Sequence, residues 1–99
     1  MKLQTHSVHF DADQKLIDFI QKKANKLETY FDRIIDGEVF LKLENGEAID
    51  NKIVEIKLNI PGNQLFVKEQ ESSFEAATDK AVGALKKQLL KHKDKLSSH

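Results

Sequence analysis

The sequence predicts an α+β fold in the element order β-α-β-β-β-α, a four-stranded sheet with both helices packed on one face. Three observations predict it. Apolar residues at Leu16, Ile17, Ile20, Ala24, Leu27 and Phe31 recur in steps of one, three and four, the spacing of one helix face. Val39, Leu41 and Leu43, and later Val54, Ile56, Leu58 and Ile60, recur in steps of two, the spacing of half-buried strands. Phe74, Ala77, Ala81, Leu85 and Leu89 form a second helical stripe, extendable to Leu96, that no proline interrupts.

The elements follow in order. Residues 2–7 make a short, moderately apolar first strand. Asp13 suits a helix N-cap, because its carboxylate can accept an orphan backbone N–H, so the first helix is expected over 14–31. A polar stretch, ENGEAIDN (44–51), separates the second strand from the third. Pro61-Gly62-Asn63 marks a tight turn, since proline fixes φ and glycine tolerates positive φ, and 64–70 is the return strand of that hairpin. Ser72 and Glu75 have capping-box spacing, with Ser73 an equally good cap, so the second helix is expected over 73–96. At 24 residues it would be roughly 36 Å long and would run past the sheet. A right-handed crossover through the first helix is expected to make strands 1 and 2 parallel, while strands 2, 3 and 4 are antiparallel neighbours.

Composition bounds the function. A chain of 99 residues is one small domain, 1–99, able to bury a core without staples. It holds no cysteine, which removes disulfides and thiolate metal or redox sites. No apolar run approaches the roughly 20 residues of a membrane span, and MKLQTHSVHF lacks the apolar region of a signal peptide, so a cytoplasmic protein is expected.

Sixteen basic and sixteen acidic side chains cancel, yet they are not mixed. Formal charge is +1 over residues 1–33, −6 over 34–79 and +5 over 80–99. Residues 80–93 hold five lysines and no acid, whereas a solubilising helix face mixes signs. Lys87, Lys91 and Lys95 make a row of four-residue steps, with Lys80 seven residues before it and Lys86, His92 and Lys93 beside it. In the first helix Lys22 and Lys26 are four apart, and Lys23 and Lys26 three apart. If the helices pack side by side, these rows combine into one positive surface. Phosphate backbones bind such surfaces by charge neutralisation and counterion release.

The order β-α-β-β-β-α and the segment SFEAATDKAVGALKKQLLKHKDKL resemble the short hibernation-promoting factors, the family that includes the ribosome-associated inhibitor of translation. The resemblance spans nearly the whole chain. Its most specific part is the second helix, through Ser73, Ala76-Ala77, Asp79, Leu85, Lys87, Gln88, Leu89, Lys91 and Lys95. KKANKLE (22–28) and Asn59-Ile60-Pro61-Gly62 match as well. Where relatives often carry an aromatic near the start of that helix, this chain has Glu75, next to Phe74. The resemblance implies a double-stranded-RNA-binding-like fold. It also implies a stress factor that binds the small ribosomal subunit where mRNA and the A- and P-site tRNAs lie, and so inhibits translation. Carried-over contacts to rRNA are Lys23, Lys26, Lys87, Lys91 and Lys95; the charge pattern alone adds Lys22 and Lys86. The sequence stops at His99, so the expectation is a single ribosome-binding domain without the C-terminal dimerisation domain of the long members. The expected partners are the ribosome and its rRNA, with a monomer off the ribosome, no membrane, no small-molecule substrate and no cofactor.

Other signals are weaker. His6 and His9, with His92 and His99 at the far end, do not make the three or four converging ligands of a metal site, and read as surface residues. There is no nucleophile elbow, P-loop or glycine-rich phosphate cradle, so no enzyme is expected. Phe40 and Phe66 fall out of phase with the core alternation of their strands. Their position raises a base-stacking patch of the RNA-recognition-motif kind, but partial packing at the sheet edge is the favoured reading. A second class of function stays open: a non-catalytic protein-interaction module whose basic C-terminal helix docks on an acidic partner.

Overall fold

The computed structural model describes residues 1–44 and 49–97 of the chain. Residues 45–48, from the middle of ENGEAIDN, and His99 lie outside the described residues, as does the side chain of Leu96. The elements are β1 (Lys2–Ser7), α1 (Gln14–Asn25), a 3-10 turn (Lys26–Thr29), β2 (Asp36–Leu43), β3 (Lys52–Ile60), β4 (Asn63–Glu71) and α2 (Phe74–Ser97). The sheet runs β1-β2-β3-β4 in space. β1 is parallel to β2, with Thr5 opposite Val39, and the other two pairings are antiparallel.

The period-two residues do what their spacing predicts. Val39, Leu41, Val54, Ile56 and Leu58 are fully buried on one face of the sheet, and Val39 sits opposite Ile56 and Leu41 opposite Val54. Leu43, at the end of β2, is the exception and is exposed. Ile20, Leu27 and Phe31 cover this face from one side, with Ala24 buried among them, and Phe74, Ala77, Ala81, Leu85 and Leu89 from the other. Both helices therefore lie on one face, and the opposite face carries Phe40, Lys57 and Phe66. Burying one large aliphatic side chain contributes about 1.5–3 kcal/mol, so this shared core holds the helices to the sheet.

Local chemistry sets the ends. The Asp13 side chain accepts the backbone N–H of Lys15 at 3.1 Å and caps α1. The Ser73 hydroxyl accepts the N–H of Ala76 at 3.1 Å and caps α2. Between β3 and β4 only Pro61 and Gly62 make the reversal, with Gly62 at φ 75°, where a side chain would be strained. His9 also has a positive φ, 65°, in the bend after β1. Beyond that bend Phe10 stacks on Phe74, centroids 5.3 Å apart, and ties the loop to the start of α2.

β4 and α2 lie within one residue of expectation at each end, and one boundary differs by more. The first helix does not continue to residue 31: α1 ends at Asn25 and the chain tightens into the 3-10 turn. The Thr29 hydroxyl donates to the carbonyl of Lys26 at 2.7 Å, and the Tyr30 N–H reaches the carbonyl of Leu27 at 3.0 Å. The Tyr30 bond is a three-residue backbone step, which winds the chain more tightly than an α-helix, and the Thr29 hydroxyl occupies a carbonyl at the start of the turn. Leu27 and Phe31 stay buried through the change.

Candidate nucleic-acid interface

Packing decides where each lysine points. Asp79 on α2 holds Lys23 of α1 at 3.1 Å, and the Lys86 ammonium lies 4.6 Å from the centre of the Tyr30 ring. These contacts fix one flank of α2 against α1 and the 3-10 turn. The other flank faces β4. There Lys80 pairs with Glu71 at 2.9 Å, and Lys91 and Lys95 line a cleft with Asn63 and Leu65. Lys87 lies two turns beyond Lys80, on the same flank.

The seven expected contact residues thus fall into two groups rather than one continuous row. Lys87, Lys91 and Lys95 are exposed on the β4 flank of α2, and none has an ion pair among the described residues. Lys22 and Lys26 are exposed at the end of α1 and in the 3-10 turn. Lys23 is half-buried and held by Asp79, and its ammonium also lies 5.4 Å from the Phe19 ring centre. Lys86 is exposed but laid over Tyr30. Linear spacing shows which residues share a face; it does not show which flank of α2 meets α1, so the division was not readable from the sequence.

The separation also distinguishes structural lysines from available ones. The Glu71 carboxylate, hydrogen-bonded to Lys80 and acting on it by charge, raises the pKa of that ammonium above its ordinary value. Lys80 is therefore engaged by β4. Five of the seven candidates, Lys22, Lys26, Lys87, Lys91 and Lys95, have no such neighbour among the described residues. Like charges one turn apart cost about 0.2–0.5 kcal/mol each in a helix, so the row is retained against a local electrostatic penalty.

The open sheet face has a different character. Lys42 pairs with Glu55 at 3.2 Å and His6 with Glu38 at 3.2 Å. His6 stacks on Phe40, with centroids 5.0 Å apart, and the Lys57 ammonium lies 5.6 Å from the Phe40 ring. Phe66 on β4 is 48% exposed, whereas Phe40 is half-buried on the inner strand β2. Phe66 thus lies exposed on the edge strand, whereas Phe40 lies away from the expected edge and packs between His6 and Lys57 in the middle of the face. Charges here largely answer one another.

No group of three or more His, Asp or Glu residues is placed to hold a metal among the described residues. No described helix is long and apolar enough to cross a membrane.

Comparison with known proteins adds an independent line. The profile of the Sigma 54 modulation protein / S30EA ribosomal protein family matches residues 3–97. The ribosome hibernation promoting factor of Escherichia coli K12 is 32% identical over 99 residues, covering the whole of both chains. That of Pseudomonas putida is 32% identical over 98 residues, 99% of this chain and 92% of the relative. Among solved structures, the N-terminal domain of Thermus thermophilus Protein Y superposes with a TM-score of 0.81 at 25% identity, covering 93% of this chain and 99% of that one. A ribosomal subunit interface protein from Coxiella burnetii gives 0.82 at 20% identity over 95% of this chain and 99% of its own, a likeness of fold. With sequence matching end to end and the same sheet and helices, the chain belongs to the Sigma 54 modulation protein / S30EA ribosomal protein family, alongside the ribosome hibernation promoting factors.

Proposed function

We propose that this protein is a ribosome hibernation factor that binds the small subunit through rRNA, occupies the channel used by mRNA and tRNA, and blocks translation by exclusion. The observation that carries the reading is the row Lys87, Lys91 and Lys95: exposed, one turn apart and without an ion pair among the described residues. A polyanion that neutralises this row removes its self-repulsion and releases counterions, two favourable terms from one contact. The names of the relatives supply the ribosome as the polyanion. Lys22 and Lys26 at the end of α1 extend the same chemistry to a second stretch of backbone, so the helical layer engages RNA at two places. The role is binding and not catalysis, and this domain acts as a monomer.

Sedimentation of the purified protein with ribosomal subunits through sucrose gradients tests this. The protein should travel with the small subunit, and ribonuclease treatment should release it. Association that survives complete digestion of the RNA points instead to an acidic protein partner for α2.

A further inference from the structure

The cleft between the end of α2 and the β3–β4 turn contains more than charge. It is lined by Asn63, Leu65, Gln88, Lys91, His92 and Lys95, has a volume of about 230 Å³, and has no carboxylate in its lining among the described residues. Its polar groups are arranged from outside the cleft. The side-chain oxygen of Asn63 accepts the N–H of Gln64 at 2.8 Å, and its amide nitrogen has no acceptor among the described residues. The His92 ring packs edge-on against Phe31, centroids 5.6 Å apart at 74°, so a buried core residue orients the imidazole. Leu65 is only 8% exposed and gives the cleft an apolar wall. Lys91 and Lys95 are four residues apart, about 6 Å along the helix axis, so both side chains border the same cleft. The C-terminal end of the helix contributes only about half a negative charge, too little to cancel them.

We infer that this cleft is a nucleotide subsite. One phosphate sits between Lys91 and Lys95, and the attached ribose and base lie along Leu65 within reach of the Asn63 and Gln88 amides and His92. The volume lies below the about 300–1,000 Å³ of drug-sized pockets, which fits one nucleotide unit held partly in the open. The inference rests on the reading that this surface binds RNA, and extends it. Phosphate contacts alone position a protein without reading sequence, whereas amides at the edge of a base select it. The β3–β4 turn thereby becomes part of the binding surface, and an unpaired nucleotide of the RNA is its ligand.

Two measurements test the subsite on the full chain. In NMR titrations with AMP, GMP, CMP, UMP and inorganic phosphate, at least one nucleotide should move the side-chain amides of Asn63 and Gln88 and the His92 ring saturably. Inorganic phosphate at equal concentration should not. Equal shifts with phosphate, or shifts confined to the lysines, overturn the subsite. In ribosome binding, Asn63→Ala and Gln88→Ala, each checked for an unchanged unfolding temperature, should weaken affinity about tenfold, the scale of one or two lost hydrogen bonds, at an unchanged salt dependence. Lys91→Gln should instead lower the salt slope by about 0.7–0.9. If the unaltered protein binds ribosomes and both amide variants bind equally well, the subsite is wrong and the proposed function stands. If the unaltered protein ignores ribosomes while nucleotides still move the cleft signals, the function is wrong and the cleft is a site for free nucleotides.

Discussion

Replacing Lys87, Lys91 and Lys95 together with glutamine separates binding from folding. All three are exposed, none is ion-paired among the described residues, and none belongs to the buried stripe of Leu85 and Leu89. Glutamine is nearly as good a helix former as lysine. The substitution removes two like-charge pairs one turn apart, 87 with 91 and 91 with 95, a relief of about 0.4–1 kcal/mol, and loses the attraction of Lys95 to the helix C-terminus, about 0.3–1 kcal/mol, so stability should change little. Binding should fall. Each neutralised phosphate contributes about 0.7–0.9 to the slope of log affinity against log salt, so five available lysines give about −3.5 to −4.5. The variant, with two left, should show about −1.4 to −1.8. Counterion release from three contacts then corresponds to about 100- to 500-fold in affinity at 0.1 M salt. The assay is a filter-binding or pelleting series with small subunits from low to moderate salt, beside a denaturant melt of the same protein. Changing Lys42, Lys52 and Lys57 on β2 and β3 removes equal charge and is the control. Equal losses in both triple variants would mean that bulk charge suffices; a folded helix variant that binds normally would refute the reasoning.

Two further outcomes follow from the packing. Gly37 lies buried in β2, where an added Cβ would come within 2.8 Å of Leu3 Cδ1 and Leu58 Cδ2 and 3.1 Å of the Lys57 carbonyl. Gly37→Ala should destabilise by about 1–3 kcal/mol through overpacking, read as a lower denaturation midpoint; an equally stable variant would contradict the close fit. Asp79→Asn releases Lys23 from its partner across the two helices. Stability should fall by no more than about 1 kcal/mol, because a partly exposed pair contributes little, while the salt slope steepens by about 0.7–0.9 as Lys23 becomes available. An unchanged slope would leave Lys23 outside the contact.

The alternation of Val54, Ile56, Leu58 and Ile60 placed β3 in the sheet and its buried side toward the helices, because strand parity is decided locally. The caps at Asp13 and Ser73 were legible for the same reason: donor and acceptor lie two or three residues apart. The end of α1 was not. Ala24, Leu27 and Phe31 fit the three- and four-residue steps of either helix type, and the Thr29 hydroxyl that favours the tighter winding leaves no mark in apolar spacing. The candidate site was legible as a set of residues and not as an arrangement. The lysine row needed only helical periodicity. The engagement of Lys23 by Asp79 depends on how α1 and α2 pack, across 56 positions of sequence, and Asn63 reaches the cleft only through the register of β3 with β4. Contacts between distant elements are set by packing, and no local spacing encodes them.

Competition on the small subunit tests the central claim most directly. Small subunits would be pre-loaded with mRNA and P-site tRNA, and the protein titrated against them and against empty subunits at the same salt. Occupation of the decoding channel predicts that loading weakens binding of the protein, and that excess protein releases the tRNA. Undiminished binding of protein, mRNA and tRNA to one subunit would contradict the account and place the site elsewhere.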